Sequence, residues 1–155
     1  MVYEFRTEVR CDGEVVWTET SAYLRRGRGD GEASYGMVLP PTERAGLTWQ
    51  LPADLGRKYA AVSGDHNPIH LYPLTAKALG FPRQIAHGMW TKARCIAALE
   101  NRLPDAVRVD VAFKTPVSLP GAVAFGAGPV ERGIAFSLSN PRTGAPHVAG
   151  LSTAL

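Results

Sequence analysis

Only two of the 155 residues are cysteine, Cys11 and Cys95, and they form neither a C-x-x-C pair nor a zinc-knuckle spacing. A disulfide scaffold is excluded, and a reducing, cytoplasmic setting is the simplest expectation. No run approaches ~18 consecutive apolar residues, so no membrane-spanning helix is expected. The opening Met1-Val2-Tyr3-Glu4-Phe5-Arg6 lacks the apolar core of a signal peptide. Aromatic residues make up 8%, and no long Lys/Arg run is interleaved with them, so nucleic-acid binding is not expected. The densest basic group, Arg25, Arg26 and Arg28, is broken by glycines and acidic residues and reads as a solvated turn.

What is present is ordinary for one globular domain: 45% hydrophobic residues, 20% charged residues and a formal net charge of +3. The length suffices to bury a core without staples.

Residues 2–10 alternate as a strand, Asp12-Gly13 signals a two-residue hairpin, and Glu14 to Leu24 reads as its second strand. Residues 27–48, rich in Gly, Pro and charge, read as a loop or linker. A helix is expected to open at Leu51-Pro52-Ala53-Asp54, to bury Tyr59, Ala60 and Val62, and to end at Gly64. Residues 65–72 read as a loop, Leu74–Leu79 as a short helix, and Gly88 to Arg102 as a longer one. On that longer helix Met89, Ala93, Ile96, Ala97 and Leu103 recur near helical spacing. Ala93, Ala97 and Ala98 suit close packing against a sheet. Strands follow at 107–114, 123–130, 134–138 and 147–153. The class is α+β, with one long helix among antiparallel strands that could wrap it. The turn and strand at Asp12-Gly13 to Leu24 also loosely echo those at Thr143-Gly144 to Leu155.

Two segments carry chemistry. The first, Ser63-Gly64-Asp65-His66-Asn67-Pro68-Ile69-His70, brings a carboxylate, an amide and an imidazole together around a proline-stiffened loop. A carboxylate and an imidazole that share one water can take a proton from oxygen and deliver one to carbon. Asn67 can orient that water or the loop. The same residue types also cap turns with no chemistry at all. The second segment, Gly80 to Trp90, ends at the start of the long helix, where N–H groups lack partners and the helix dipole favours negative charge. Gly88 has no side chain, so a carbonyl oxygen can approach its N–H and be stabilised as it gains charge. Gly88 could equally serve only tight packing, and His87 could be a packed or capping residue.

Together, Ser63 to His70 and Ile85-Ala86-His87-Gly88-Met89 resemble the hydratase motif of the MaoC-like dehydratases, which include the (R)-specific enoyl-CoA hydratases. Phe113-Lys114-Thr115-Pro116-Val117-Ser118-Leu119-Pro120-Gly121 is similar to that family's strand and loop after the helix. The resemblance spans residues 50–155. It implies a hot-dog fold, a long helix wrapped by an antiparallel sheet, paired as a homodimer or as a double hot dog. It implies Asp65 and His70 as the catalytic acid/base pair, Asn67 as a supporting amide and Gly88 as the glycine whose N–H meets the thioester oxygen. Ser63, Ile85, His87, Met89 and Trp90 are expected to touch substrate. The implied reaction is reversible syn addition of water to a trans-2-enoyl thioester of coenzyme A or an acyl-carrier protein, with no cofactor. A phosphate-bearing substrate suits the mild positive charge. Ile96 departs from the pattern, because short-chain members often carry a serine eight residues beyond the motif glycine.

The implied domains are an N-terminal hairpin over 1–26, resembling the closing strands of a preceding hot-dog repeat, a linker over 27–48 and the hydratase domain over 49–155. Rival readings are a hot-dog thioesterase and a non-catalytic acyl-thioester-binding subunit. A zinc site at His66 and His70 is disfavoured because Pro68 lies between them and no Glu follows His66. Gly27-x-Gly29-x-Gly31 and Gly126-x-Gly128 do not complete a dinucleotide fingerprint.

Overall fold

Asp12 and Gly13, at φ of 49° and 87°, supply the two left-handed residues that a two-residue hairpin turn needs. They join strand β1 (Val2–Cys11) to β2 (Glu14–Leu24). The antiparallel register slips between Val9 and Arg10, where Val9 faces Trp17 and Arg10 faces Val15, so Val16 is a bulge residue. The computed structural model describes residues 2–24, 38–40, 42 and 46–155. The chain divides into two compact units, Met1–Tyr35 and Gly36–Leu155. Within the hairpin the large apolar side chains from Tyr3 to Trp17 are exposed, Trp17 at 61% and Val16 at 62% among them. The Arg25, Arg26 and Arg28 group, the Gly27–Gly31 glycines and much of the loop expected over 27–48 lie outside the described residues.

The second unit begins its regular structure with β3 (Leu47–Leu51), followed by three helices: α1 (Leu55–Ser63), α2 (Pro68–Leu71) and α3 (Pro73–Ala78). Helix α4 (Gly88–Leu99) follows and tightens into a 3₁₀ turn at Glu100–Arg102. The chain closes with β4 (Val107–Phe113), β5 (Gly121–Val130), β6 (Gly133–Ser139) and β7 (Pro146–Ala154). The five strands form one antiparallel sheet in the order β3-β5-β6-β7-β4.

One stripe of α4, Thr91, Cys95 and Leu99, is buried. Cys95 and Leu99 belong to a single apolar cluster with Val123, Phe125, Phe136, Leu138 and Val148 of the sheet. Residues four apart stack on one face of a helix, so this stripe is the seam along which sheet and helix meet. Phe136 faces Gly150 across β6 and β7, and a Cβ on Gly150 would come within 2.1 Å of its ring. The missing side chain is what lets Phe136 lie flat and fully buried.

Five expectations are corrected. Leu47 and Thr48 belong to β3 rather than to a loop, because Leu47-Thr48-Trp49-Gln50-Leu51 pairs with 121–125. Helix α1 opens at Leu55, and Leu51 is instead the buried end of β3. Val62 is 85% exposed; Gly56 and Ala60 form the buried side of α1. Residues 68–71, expected in a loop, form one helical turn. On α4 the small residues Ala93, Ala97 and Ala98 face outward, while Met89, Ala93, Ile96, Ala97 and Leu103 line an open apolar groove of about 620 Å³.

Candidate active site

Gly64, in the left-handed conformation, ends α1 by donating its N–H to the Ala60 carbonyl at 2.9 Å. The chain then turns through a chain of short polar contacts. Ser63 Oγ donates to the Tyr59 carbonyl at 2.9 Å and accepts the Asp65 N–H at 3.2 Å. Asp65 Oδ1 accepts the Asn67 N–H at 3.1 Å, and Asn67 Oδ1 accepts the Ile69 N–H at 3.3 Å. Asn67 is thus the N-cap of α2, with Pro68 preset for its first turn. Ser63 and Asn67 shape the loop, and they aim α2 so that His70 is buried while Asp65 stays half-exposed.

Gly56 fixes the depth of that burial. A Cβ there would stand 1.9 Å from the His70 carbonyl oxygen, so only glycine lets α1 press against the backbone of α2. Arg57 holds the far end, donating from Nη1 to the Leu71 carbonyl at 3.0 Å while its guanidinium lies 5.0 Å from the Tyr72 ring centre.

The His70 ring is oriented by one contact. Its Nδ1 lies 2.8 Å from the Ile85 carbonyl oxygen. A carbonyl only accepts, so Nδ1 carries the hydrogen and Nε2 presents a bare lone pair. Burial is the largest influence on this imidazole and pushes its pKa below the ordinary 6.5; the charge of His87 acts in the same sense, against the Ile85 carbonyl and the Asp65 carboxylate. The ring is therefore uncharged at neutral pH and fit to accept a proton.

His87 stacks on His70 with ring centres 3.7 Å apart and 25° between planes. It is 2% exposed, and its Nε2 donates to the Asp65 carbonyl at 2.9 Å, with the Asp65 carboxylate 3.8 Å away. The Tyr59 ring also lies against it, with centres 4.9 Å apart and 59° between planes. His87 Nδ1 is buried without a partner, as the unprotonated nitrogen of that tautomer must be where no donor reaches it. His87 is thus built into the wall that fixes Asp65 against His70. Ligand atoms of Asp65, His70 and His87 lie within 4.8 Å of one another, a spacing one metal ion could span. Two of the four imidazole nitrogens are already committed to carbonyls, which leaves His70 Nε2 and the Asp65 carboxylate as the reachable donors. His66 is not in this cluster.

Helix α4 starts beside the pair. His87 is its N-cap and makes no side-chain cap, so the first-turn N–H groups have no side chain to receive them. Gly88 lines a cavity of about 210 Å³ with His70, Ile85, Phe113, Thr115 and His147. A Cβ at Gly88 would meet the Phe113 ring at 3.2 Å. Of the other residues expected to touch substrate, Ile85 lines this cavity, Met89 lines the groove along α4, and Trp90 packs on the core.

Sequence reasoning missed His147. It lies on β7, whose pairing with β4 (Phe113 opposite Val148) brings it to Thr115. The Phe113 to Gly121 segment and a strand over 147–153 were both read from the sequence, but their pairing was not.

Comparison with known proteins fits this geometry. Residues 38–138 match the family described as MaoC like domain. The chain is 37% identical, over 96% of its length and 54% of the relative's, to 3-hydroxyacyl-thioester dehydratase X of Mycobacterium tuberculosis. The crystal structure of HtdX from Mycobacterium tuberculosis superposes with a TM-score of 0.75 at 36% identity, covering 99% of this chain and 62% of that one. R-Hydratase PhaJ1 from Pseudomonas aeruginosa superposes with a TM-score of 0.55 at 28% identity, covering 76% and 88%. The chain belongs to the MaoC-like domain family, and its fold is the α+β hot dog expected from sequence. It spans about half the length of the dehydratase relative it matches. No helix among the described residues is long and apolar enough to cross a membrane.

Proposed function

We propose that the chain is a hydro-lyase domain that adds water reversibly to trans-2-enoyl thioesters of coenzyme A or acyl-carrier protein, giving (R)-3-hydroxyacyl thioesters. The observation that carries this reading is the bare Nε2 of a buried, uncharged His70 beside the Asp65 carboxylate, at the open N-terminus of α4. The names of the dehydratase and R-hydratase relatives support it.

In this reading the thioester carbonyl bonds to the Gly88 N–H, with the dipole of α4 behind it. A water lies between Asp65 and His70 Nε2. Its oxygen bonds to C3 while the C2–C3 π pair moves into an enolate on the thioester oxygen, and its proton passes to His70 Nε2. The enolate then collapses, C2 takes that proton from the same face, and His70 returns to its uncharged form. One water has been added, every proton is accounted for, and the sequence of steps calls for no cofactor.

The chain works as a homodimer or as one half of a double hot dog. The open groove along α4 supports this, because Met89 is 55% exposed in it beside the half-buried Ile96 and Leu103. The hairpin of 1–26 is the remnant of a preceding repeat, with the linker ending before Leu47 and the hydratase domain beginning with β3. Its exposed apolar faces support that origin, since a lone two-stranded hairpin is marginal in water. Two free cysteines support a cytoplasmic location.

The test is loss of enoyl-thioester absorbance with crotonyl-CoA and a longer 2-enoyl-CoA, with the product's configuration assigned. An (R)-3-hydroxyacyl product is expected. Release of free thiol would make the protein a thioesterase, and binding without turnover would make it an acyl-thioester-binding subunit.

A further inference from the structure

Two cavities share one wall. The smaller, with His70 and Gly88, and a larger one of about 710 Å³, with Gln50, Arg83, Asn140 and Arg142, are both lined by Pro116, Val117 and His147. Among those three, His147 has the only polar side chain.

Its ring is held as firmly as that of His70. Nδ1 lies 3.0 Å from the Thr115 carbonyl oxygen and 3.0 Å from Thr115 Oγ1. The Thr115 hydroxyl donates its own hydrogen to the Pro146 carbonyl at 2.6 Å, so both Thr115 oxygens accept from His147. Nδ1 therefore carries the hydrogen, and Nε2 offers a lone pair. The backbone around it is largely taken: Thr115 N–H donates to the Pro146 carbonyl, Pro116 has no N–H, and the Val117 carbonyl accepts from Ala86. An acceptor so placed calls for a ligand that carries an N–H past this wall.

We infer that His147 Nε2 accepts an amide N–H of the phosphopantetheine arm as that arm passes from the cavity of His70 and Gly88 to the larger, arginine-lined one. This rests on the hydratase reading for the reacting end of the ligand. The arm has two amides between its sulfur and its phosphate, and its anionic end suits Arg83 and Arg142. A pantetheine amide left without an acceptor in a half-dry wall loses one hydrogen bond, which corresponds to about tenfold in affinity.

The test needs no turnover. Binding of S-butyl-CoA and S-butyl-phosphopantetheine, both unreactive thioethers, is measured by calorimetry on the full chain. In His147→Asn the side-chain amide can keep the donor to Thr115 but has no counterpart of Nε2. In His147→Gln the carbonyl oxygen reaches the Nε2 position. The expected result is about tenfold weaker binding of both thioethers to H147N and recovery in H147Q. Equal affinity of wild type and H147N overturns the inference, as does equal weakening in both variants. A CoA advantage over phosphopantetheine that Arg142→Gln abolishes marks coenzyme A as the source of the arm; equal affinities mark a carrier protein. Hydration of crotonyl-CoA is assayed separately. His147-dependent binding without hydration would refute the hydratase reading and leave the inference standing.

Discussion

A carbonyl oxygen can only accept, and that constraint sets the chemistry of the His70 ring. With its hydrogen committed to Ile85, the ring has one way to act, as a base at Nε2. Its pKa is lowered, chiefly by burial, so the working uncharged form is populated above that value and lost as pH falls through it. The acid limb of kcat/KM reports the free enzyme's base. It should fall with an apparent pKa below 6.5; a limb centred above that value would contradict His70 as the proton acceptor. Asp65, His70 and Gly88 were legible as candidates in the sequence because a loop motif and a helix start lie close together in the chain. The capping role of Asn67 was legible only as an alternative, and that of Ser63 not at all, since a short polar side chain reads the same whether it faces water or its own backbone. The burial of His87 was not legible as such, because it depends on Tyr59 and Asp65 folding over it. His147 reaches the site only through strand pairing, which local patterns do not encode.

At the scale of elements, the close approach of α1 to α2 is what places His70. Gly56→Ala drives a methyl into the His70 carbonyl. Overpacking of this kind costs about 1–3 kcal/mol. Urea unfolding should show a lower midpoint with an unchanged slope, and kcat should fall because the displaced group is the backbone of the base. Full activity in G56A would show that this contact does not position His70. The strands 107–114, 123–130, 134–138 and 147–153 were readable because apolar alternation survives wherever one sheet face is buried. β3 was hidden because five residues are too few for a period to stand out beside a Gly- and Pro-rich stretch. The α4 seam was misread for a physical reason. Thr91 and Cys95 are the buried residues there, while the more conspicuous Met89 and Ile96 face the groove. Apolar content marked two faces of one helix, and only packing says which meets the sheet.

At the scale of the whole molecule, the groove along α4 is open among the described residues of its own unit, and Phe5, Val16 and Trp17 are exposed in the hairpin. The chain should scatter light as a dimer or larger assembly, and a fully active monomer would contradict the pairing. The central claim is that Asp65 and His70 together add water to a 2-enoyl thioester. The most direct measurement is the rate of crotonyl-CoA hydration by the wild-type chain, Asp65→Asn and His70→Gln, with circular dichroism confirming that all three are folded. General acid/base groups contribute about 10²–10⁴-fold and loss of positioning at the reacting atoms costs about 10²-fold, so His70→Gln and Asp65→Asn should each lose on the order of a hundredfold or more in kcat while the wild type gives the (R)-3-hydroxy product. Retained turnover in both folded variants would contradict the account.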